Sequence, residues 1–184
     1  MAVFPVVLDA CVLFNAPLRD TLLRAAEYGL YRVHWSQKIL DETTKNLVKS
    51  GYMNESQAVH LIAALNSAFP EAMVSVPEEQ VKAMKNHPKD RHVVACAVCA
   101  QAQVITTFNL KDFKSKDLEE WSLEAQHPDT HLCYLFQLAP DLLIKILIEQ
   151  AEDLTDMSLD RILAMLEKSV PVFIGQVKKR MAKK

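Results

Sequence analysis

Glycine is scarce in this chain: three residues in 184, at Gly29, Gly51 and Gly175. Three isolated glycines assemble neither G-x-x-x-x-G-K-[ST] nor G-x-G-x-x-G, so nucleotide binding in a glycine-rich cradle is disfavoured. An excess of basic charge is equally missing, with 21 Lys and Arg against 23 Asp and Glu. Any contact with a polyanion must then come from a local basic patch or from metal ions. The densest apolar run, residues 142–148, is interrupted by Lys145, so no membrane association is expected. The first residues lack the basic region, apolar segment and small-residue cleavage site of a secretory signal. The four cysteines (Cys11, Cys96, Cys99, Cys133) follow no disulfide-framework spacing. A cytoplasmic protein with reduced thiols is the expectation.

Half the residues are hydrophobic and about a quarter charged, a globular composition whose length suits one substantial core. Residues 3–8 form a nearly continuous apolar run, which suits a strand buried on both faces. A helix is expected over 18–28, ended by Gly29 at the position after the cap. Residues 31–35 read as a second strand, and Ser36 as the N-cap of a helix reaching Lys49 and stopped by Gly51. Asn54 is placed to cap the next helix, with Ala58, Leu61, Ile62 and Leu65 at helical spacing. A third strand is expected over 72–76. From Asp90 onward, Val93, Val94, Ala97, Val98 and Gln101 share one helical face. Residues 104–108 read as a fourth strand, with a weaker one at 123–126. Alternating short strands and amphipathic helices predict a parallel α/β sheet covered on both sides. After Pro128 the pattern becomes wholly helical, over 130–138, 142–151, 159–167 and 172–181. The chain is therefore divided into residues 1–127 and a helical extension, 128–184.

Acids mark the strand ends. Asp9 directly follows the first strand, and Asp112 lies just beyond the fourth, close to Asn109. In an open parallel sheet, ligand chemistry gathers beyond the carboxyl ends of the strands. Asp90 extends the apolar stripe of its helix by one turn, and a carboxylate there is costly unless capped, paired or metal-bound. Glu42 lies at the flank of the Ile39, Leu40, Thr43 and Leu47 stripe. Each has a structural alternative: an N-cap for Asp90, a turn for Asp9, a solvated helix position for Glu42, a loop acid for Asp112. Taken together, converging carboxylates would repel one another, and a hard divalent cation such as Mg²⁺ or Mn²⁺ relieves that repulsion. Bound metal also activates water and stabilises a leaving oxygen, with no need of a histidine or serine nucleophile.

Four segments carry a resemblance: Leu8-Asp9-Ala10-Cys11-Val12-Leu13; Ser36 with Ile39-Leu40-Asp41-Glu42; Lys89-Asp90-Arg91-His92-Val93-Val94-Ala95-Cys96-Ala97; and Thr107-Phe108-Asn109-Leu110-Lys111-Asp112-Phe113. In this order they resemble the PIN-domain ribonucleases, especially VapC-type toxins of toxin–antitoxin systems. The resemblance covers residues 1–127, and the helical tail looks like the extension of a larger-toxin branch. It implies a three-layer α/β/α fold with a central parallel sheet, Mg²⁺ or Mn²⁺, and endonucleolytic cleavage of RNA. It also implies a small protein antitoxin in the active-site groove, and a homodimer. By carry-over, Asp9, Glu42 and Asp90 organise the metal. The fourth position falls to Asp112, or to water held by Asn109. Thr107 and Asn109 would orient a water or a phosphate, and Arg91 and His92 would contact RNA phosphate or pair with surface acids. A housekeeping RNA-processing nuclease and a non-catalytic PIN-like module binding RNA or protein are the alternatives.

Other motifs carry less. Cys96 and Cys99 form C-x-x-C inside a helix, without a second Cys/His pair, and read as small buried thiols. His127 and His131 lack the glutamate of H-E-x-x-H. The basic end from Lys178 complements a helix C-terminus, the run Asp117, Glu119, Glu120 and Glu124 reads as a solvated face, and Trp35 and Trp121 as packing residues.

Overall fold

The computed structural model describes residues 3–155 and 157–183. Two compact units make up the chain: Met1–Phe14 with Tyr31–Gln126, and Asn15–Leu30 with His127–Lys184.

The first unit is built on a parallel sheet of four strands, β1 (Pro5–Leu8), β2 (Arg32–His34), β3 (Val104–Thr106) and β4 (Glu124–Gln126), in the order β2-β1-β3-β4. Val6, Val7 and Leu8 are all fully buried, as an apolar run with no polar alternation requires of a strand covered on both faces. Register pairs Val6 with Val104, Val7 with Ile105 and Leu8 with Thr106, so β1 and β3 end level with each other. Helices flank the sheet, giving the α/β architecture expected from the sequence, and a bundle of C-terminal helices follows it.

Helix α1 (Ala10–Phe14), an element the sequence pattern does not announce, follows β1 after Asp9 alone and buries Ala10, Val12 and Leu13 against α3 (Gln37–Lys49). The Ser36 side chain accepts from the Ile39 N–H and begins α3 as its sequence predicts. At the other end, the N–H of Tyr52 donates to Leu47 and that of Gly51 to Val48. This pair of bonds needs a left-handed residue, supplied by Gly51 at φ +72°. Helix α4 (Glu55–Ala68) begins with a capping box between Asn54 and Gln57.

The strand expected over 72–76 does not form. Met73 makes only a single parallel bridge to Trp35, with bonds from Trp35 to Ala72 and from Val74 to Trp35. Pro70 and Pro77 bracket the segment and limit its pairing. Helix α5 (Glu78–Ala83) follows. A 3-10 turn (Pro88–Asp90) then leads into α6 (Arg91–Cys99), which packs on β1 and β3. Cys96 is buried as expected, whereas Cys99 is exposed. A second 3-10 turn (Leu110–Asp112) and the short helix α7 (Ser115–Leu118) connect β3 towards β4.

The second unit is all-helical: α2 (Ala16–Glu27), α8 (Pro128–Leu138), α9 (Pro140–Glu152), α10 (Leu159–Glu167) and α11 (Pro171–Met181). Helix α2 begins at an Asn15 cap, two residues earlier than its apolar pattern suggests. Within this unit α2 packs on α9 and α10. Gln150 ties α2 to α9 by accepting the Thr21 hydroxyl (2.7 Å) and donating to the Pro17 carbonyl (2.9 Å). No single helix among the described residues is long and apolar enough to cross a membrane.

Candidate active site

β1 and β3 deliver Asp9 and Thr107 to the same sheet edge. The Asp9 N–H continues the ladder onto the Thr106 carbonyl at 3.1 Å. The chain then turns into α1, with Val12 (2.9 Å) and Leu13 (3.1 Å) donating back to the Asp9 carbonyl. Asp9 is thus held between strand and helix and is 6% exposed. Its Oδ1 accepts the Ala10 N–H at 2.6 Å, and its Oδ2 accepts the Thr107 hydroxyl at 2.6 Å and the Cys11 thiol at 3.1 Å. Thr107 itself accepts the Asn109 N–H at 3.0 Å. Burial first, and the Asp9 charge second, push the Cys11 thiol up to about 12. At neutral pH it is therefore a protonated donor rather than a nucleophile.

The loop beyond β3 brings Asp112 in. Asn109 Nδ2 donates to Asp112 Oδ2 at 2.6 Å, within the turn closed by the Asp112 N–H to the Asn109 carbonyl at 3.1 Å. Of the two residues competing for the fourth position, Asp112 reaches the neighbouring acids and Asn109 orients it.

Asp90 stands at the N-cap position of α6, yet its side chain makes no capping hydrogen bond. Its carboxylate faces the other acids instead. Burial, then the charges of Asp9 and Asp112, raise its pKa, while His87 and His92 pull the other way. His87 Nδ1 lies 3.6 Å from Asp90 Oδ2. One donor atom each from His87, Asp90 and Asp112 lie within 4.8 Å of one another.

Glu42 stands apart from this group. Its Oε2 is 3.2 Å from Nε2 of the buried His92, an ion-pair separation along which the ring N–H is not aimed. Lys38 Nζ lies 3.8 Å from the other oxygen. Glu42 is therefore connected to the cluster through His92, which lies in the first turn of α6, two residues after the Asp90 cap. Neither His87 nor Cys11 is among the site residues that the sequence singles out. Both sit within three positions of a site acid, a signal that short-range spacing carries once the backbone turns are known.

A cavity of about 310 Å³ opens beside Asp112 and His87. Lys85, Arg91, Lys111, Lys114 and Lys116 line it against two carboxylates, Asp112 and Asp117. Lys85 is paired with Glu120 at 2.7 Å, and Arg91 Nε donates to the Asn86 carbonyl at 3.3 Å. Lys111, Lys114 and Lys116 make no ion pair among the described residues. This is a local basic patch in a chain whose overall charge is slightly negative.

The donor set suits a hard divalent cation. Asp90 and Asp112 come together with His87, and Asp9 lies near enough for its charge to raise Asp90. None of the three carboxylates is paired with Lys or Arg among the described residues, so the ionised form of Asp90 is disfavoured by its surroundings. A cation with oxygen ligands removes that penalty, which hydrogen bonds from Ala10, Thr107 and Asn109 reduce only in part.

Comparison with known proteins bears on the family. The family profile described as PIN domain matches residues 5–111. A stretch of 52 residues is 50% identical to a Mycobacterium tuberculosis protein named "Putative ribonuclease VapC50". That stretch is 28% of this chain and 31% of the relative, so the match spans under a third of the relative's length. No solved structure matches the chain.

Proposed function

The chain belongs to the PIN-domain family, and on that premise we propose that it is a divalent-metal-dependent endoribonuclease. The observation that carries the reading is Asp90: a carboxyl group raised by burial and by Asp9 and Asp112, and spent on no helix cap. Asp9, Asp90 and Asp112 hold the metal in this reading, with Glu42 contributing from the flank beside His92. Bound there, Mg²⁺ or Mn²⁺ supplies neutralisation of the phosphodiester charge and a water of lowered pKa.

The chain's own groups do the positioning. The Ala10 N–H and the Thr107 hydroxyl fix the two oxygens of Asp9. Asn109 fixes Asp112. Lys111, Lys114 and Lys116 attract the phosphates on either side of the scissile bond, contacts that give affinity without sequence preference. Arg91 adds a forked donor at the cavity wall. The test is cleavage of RNA by the full chain with Mg²⁺ or Mn²⁺, abolished by EDTA and by Asp9→Asn. Undiminished cleavage by Asp9→Asn in a clean preparation would sink the proposed chemistry.

The likeness to VapC50 supports a finer reading, in which this nuclease is the toxin of a toxin–antitoxin pair and a small protein covers its acid cluster. Growth arrest on expression, relieved by a small protein encoded beside it, is the expected outcome. Growth unaffected by an active nuclease points instead to RNA processing.

A further inference from the structure

His87 belongs to none of the carboxylate positions, yet the backbone brings it to them. Pro88 follows it, and a residue before proline is confined to extended backbone, as His87 is at φ −53°, ψ 130°. Pro88–Asp90 then form a 3-10 turn, closed by the Asp90 N–H onto the His87 carbonyl at 2.9 Å. Such a turn has three residues per revolution, so side chains three apart eclipse one another. His-Pro-Lys-Asp is therefore a local device that stacks one imidazole on one carboxylate.

The resulting spacing is close to that of adjacent co-ligands. Two ligands about 2.1–2.2 Å from one octahedral ion are about 3.0 Å apart when adjacent and about 4.3 Å apart when opposite. The His87 Nδ1 to Asp90 Oδ2 distance of 3.6 Å exceeds the adjacent spacing by about 0.6 Å, so a small movement of the imidazole brings the two onto one ion. The corresponding donor of Asp112 lies within 4.8 Å of both. At 3.6 Å the imidazole is too far from Asp90 for a hydrogen bond, which leaves Nδ1 uncommitted to that carboxylate. The His87 side chain is 45% exposed, so small rotations can bring it onto an ion.

We propose that His87 is a nitrogen ligand of the ion held by Asp90 and Asp112, and that it biases this centre towards Mn²⁺, and away from Mg²⁺. The inference rests on the metal-dependent reading of the site. Its chemistry is that of ligand hardness. Mg²⁺ demands oxygen donors and gives up its waters reluctantly, whereas imidazole suits first-row transition ions. An all-carboxylate centre discriminates weakly between Mg²⁺ and Mn²⁺. Replacing one oxygen donor by a neutral imidazole introduces the difference.

The experiment is Mn²⁺ and Mg²⁺ titration of the full-length wild type, His87→Ala and Asp90→Asn by calorimetry, together with electron spin-echo spectroscopy of the Mn²⁺-loaded proteins. The expected result is ¹⁴N modulation from a directly bound imidazole in the wild type, absent in His87→Ala. Mn²⁺ affinity should fall about tenfold or more in that variant, with Mg²⁺ affinity within about twofold of wild type. Circular dichroism checks that both variants are folded. Wild-type Mn²⁺ binding that needs Asp90 but shows no ¹⁴N modulation overturns the assignment of His87 and leaves the metal-dependent reading standing. Modulation that persists in His87→Ala assigns the nitrogen elsewhere, His92 being nearest, and also overturns it. Absence of any binding by the wild type overturns both.

Discussion

Asp9 and Asp129 are comparably buried carboxylates, one in each unit of the chain, at 6% and 8% exposure. Asp129, in the first turn of α8, reaches the start of α11: its Oδ1 accepts the Phe173 N–H at 2.8 Å and its Oδ2 the Val172 N–H at 3.0 Å. Pro171 just before them has no N–H to satisfy, and the positive end of the helix dipole faces the charge. One negative charge is thereby matched within the unit. Asp9 also has both oxygens engaged, but its charge, with that of Asp112, acts on Asp90, and none of the three is paired with Lys or Arg among the described residues. Hydrogen bonding does not separate the two acids, and neither does burial. What separates them is the neighbour each charge acts on: Asp9 bears on another carboxyl, Asp90, whereas Asp129 bears on the Cys133 thiol. The helical unit carries the same logic further at His131, which burial holds neutral by lowering its pKa to about 4.

Neutralising one acid in each unit tests that contrast most sharply. Asp9→Asn should lower RNA cleavage by about a thousandfold, beyond the ten- to hundredfold typical of groups that only orient a ligand. Its melting temperature in EDTA should stay level or rise, because a repulsive charge has gone. Asp129→Asn should leave turnover per folded molecule near wild type. Equal losses of turnover in the two variants break the comparison.

Next in size is the acid sensitivity of the helical unit. His131 titrates near 6.5 when unfolded and near 4 when folded. Between these values the unfolded chain holds more protons, so stability rises with pH there. It is fully present above about 6.5 and lost as the pH falls towards 4, by on the order of 3 kcal/mol. Asp90 has the opposite sign: its folded pKa is raised, so the native state holds the extra proton above the ordinary carboxylate range. In EDTA its ionisation costs stability as the pH rises, and saturating divalent ion removes that cost. Urea unfolding between pH 4 and pH 7, with and without metal, reads both slopes. His131→Leu should flatten the first, and an unchanged slope in that variant assigns it elsewhere. Asp129→Ala follows at about 2 kcal/mol of stability at pH 7, from the loss of two buried acceptors at a helix start.

Local chemistry is what the sequence conveys well. The Ser36 and Asn54 caps and the left-handed Gly51 stop are set by short-range hydrogen bonds, and the structure has them where the sequence puts them. Asp9 and Asp112 are legible because parallel strands deliver their ends to one edge. Partner choice over long range is not legible. The apolar stripe of α2 announces a helix but not its neighbour, and Thr21 meets Gln150 across 129 positions. The strand expected over 72–76 has the right residue types, but strand pairing depends on what lies alongside. Helix α1 is too short for any periodicity to show. His87 escapes notice because its link to Asp90 exists only after Pro88 starts a 3-10 turn, a conformation to which composition is indifferent.

The smallest effect decides how Asp9 is held. Thr107 donates to Asp9 Oδ2 at 2.6 Å and accepts the Asn109 N–H at 3.0 Å, so its hydroxyl lies between the end of β1 and the loop bearing Asp112. We expect a hydroxyl engaged in this way to orient the carboxylate and not to contact RNA. Thr107→Val keeps the shape and removes both bonds; it should slow cleavage about tenfold, the lower range for groups behind a ligand. Thr107→Ser should restore most of the rate. The distinguishing measurement is the double variant: in an Asp9→Asn background Thr107→Val should cost little more, because the two residues act through one interaction. A full tenfold loss in that background means that Thr107 acts on the substrate independently of Asp9. The two buried acids would then differ in their surroundings less than the geometry implies.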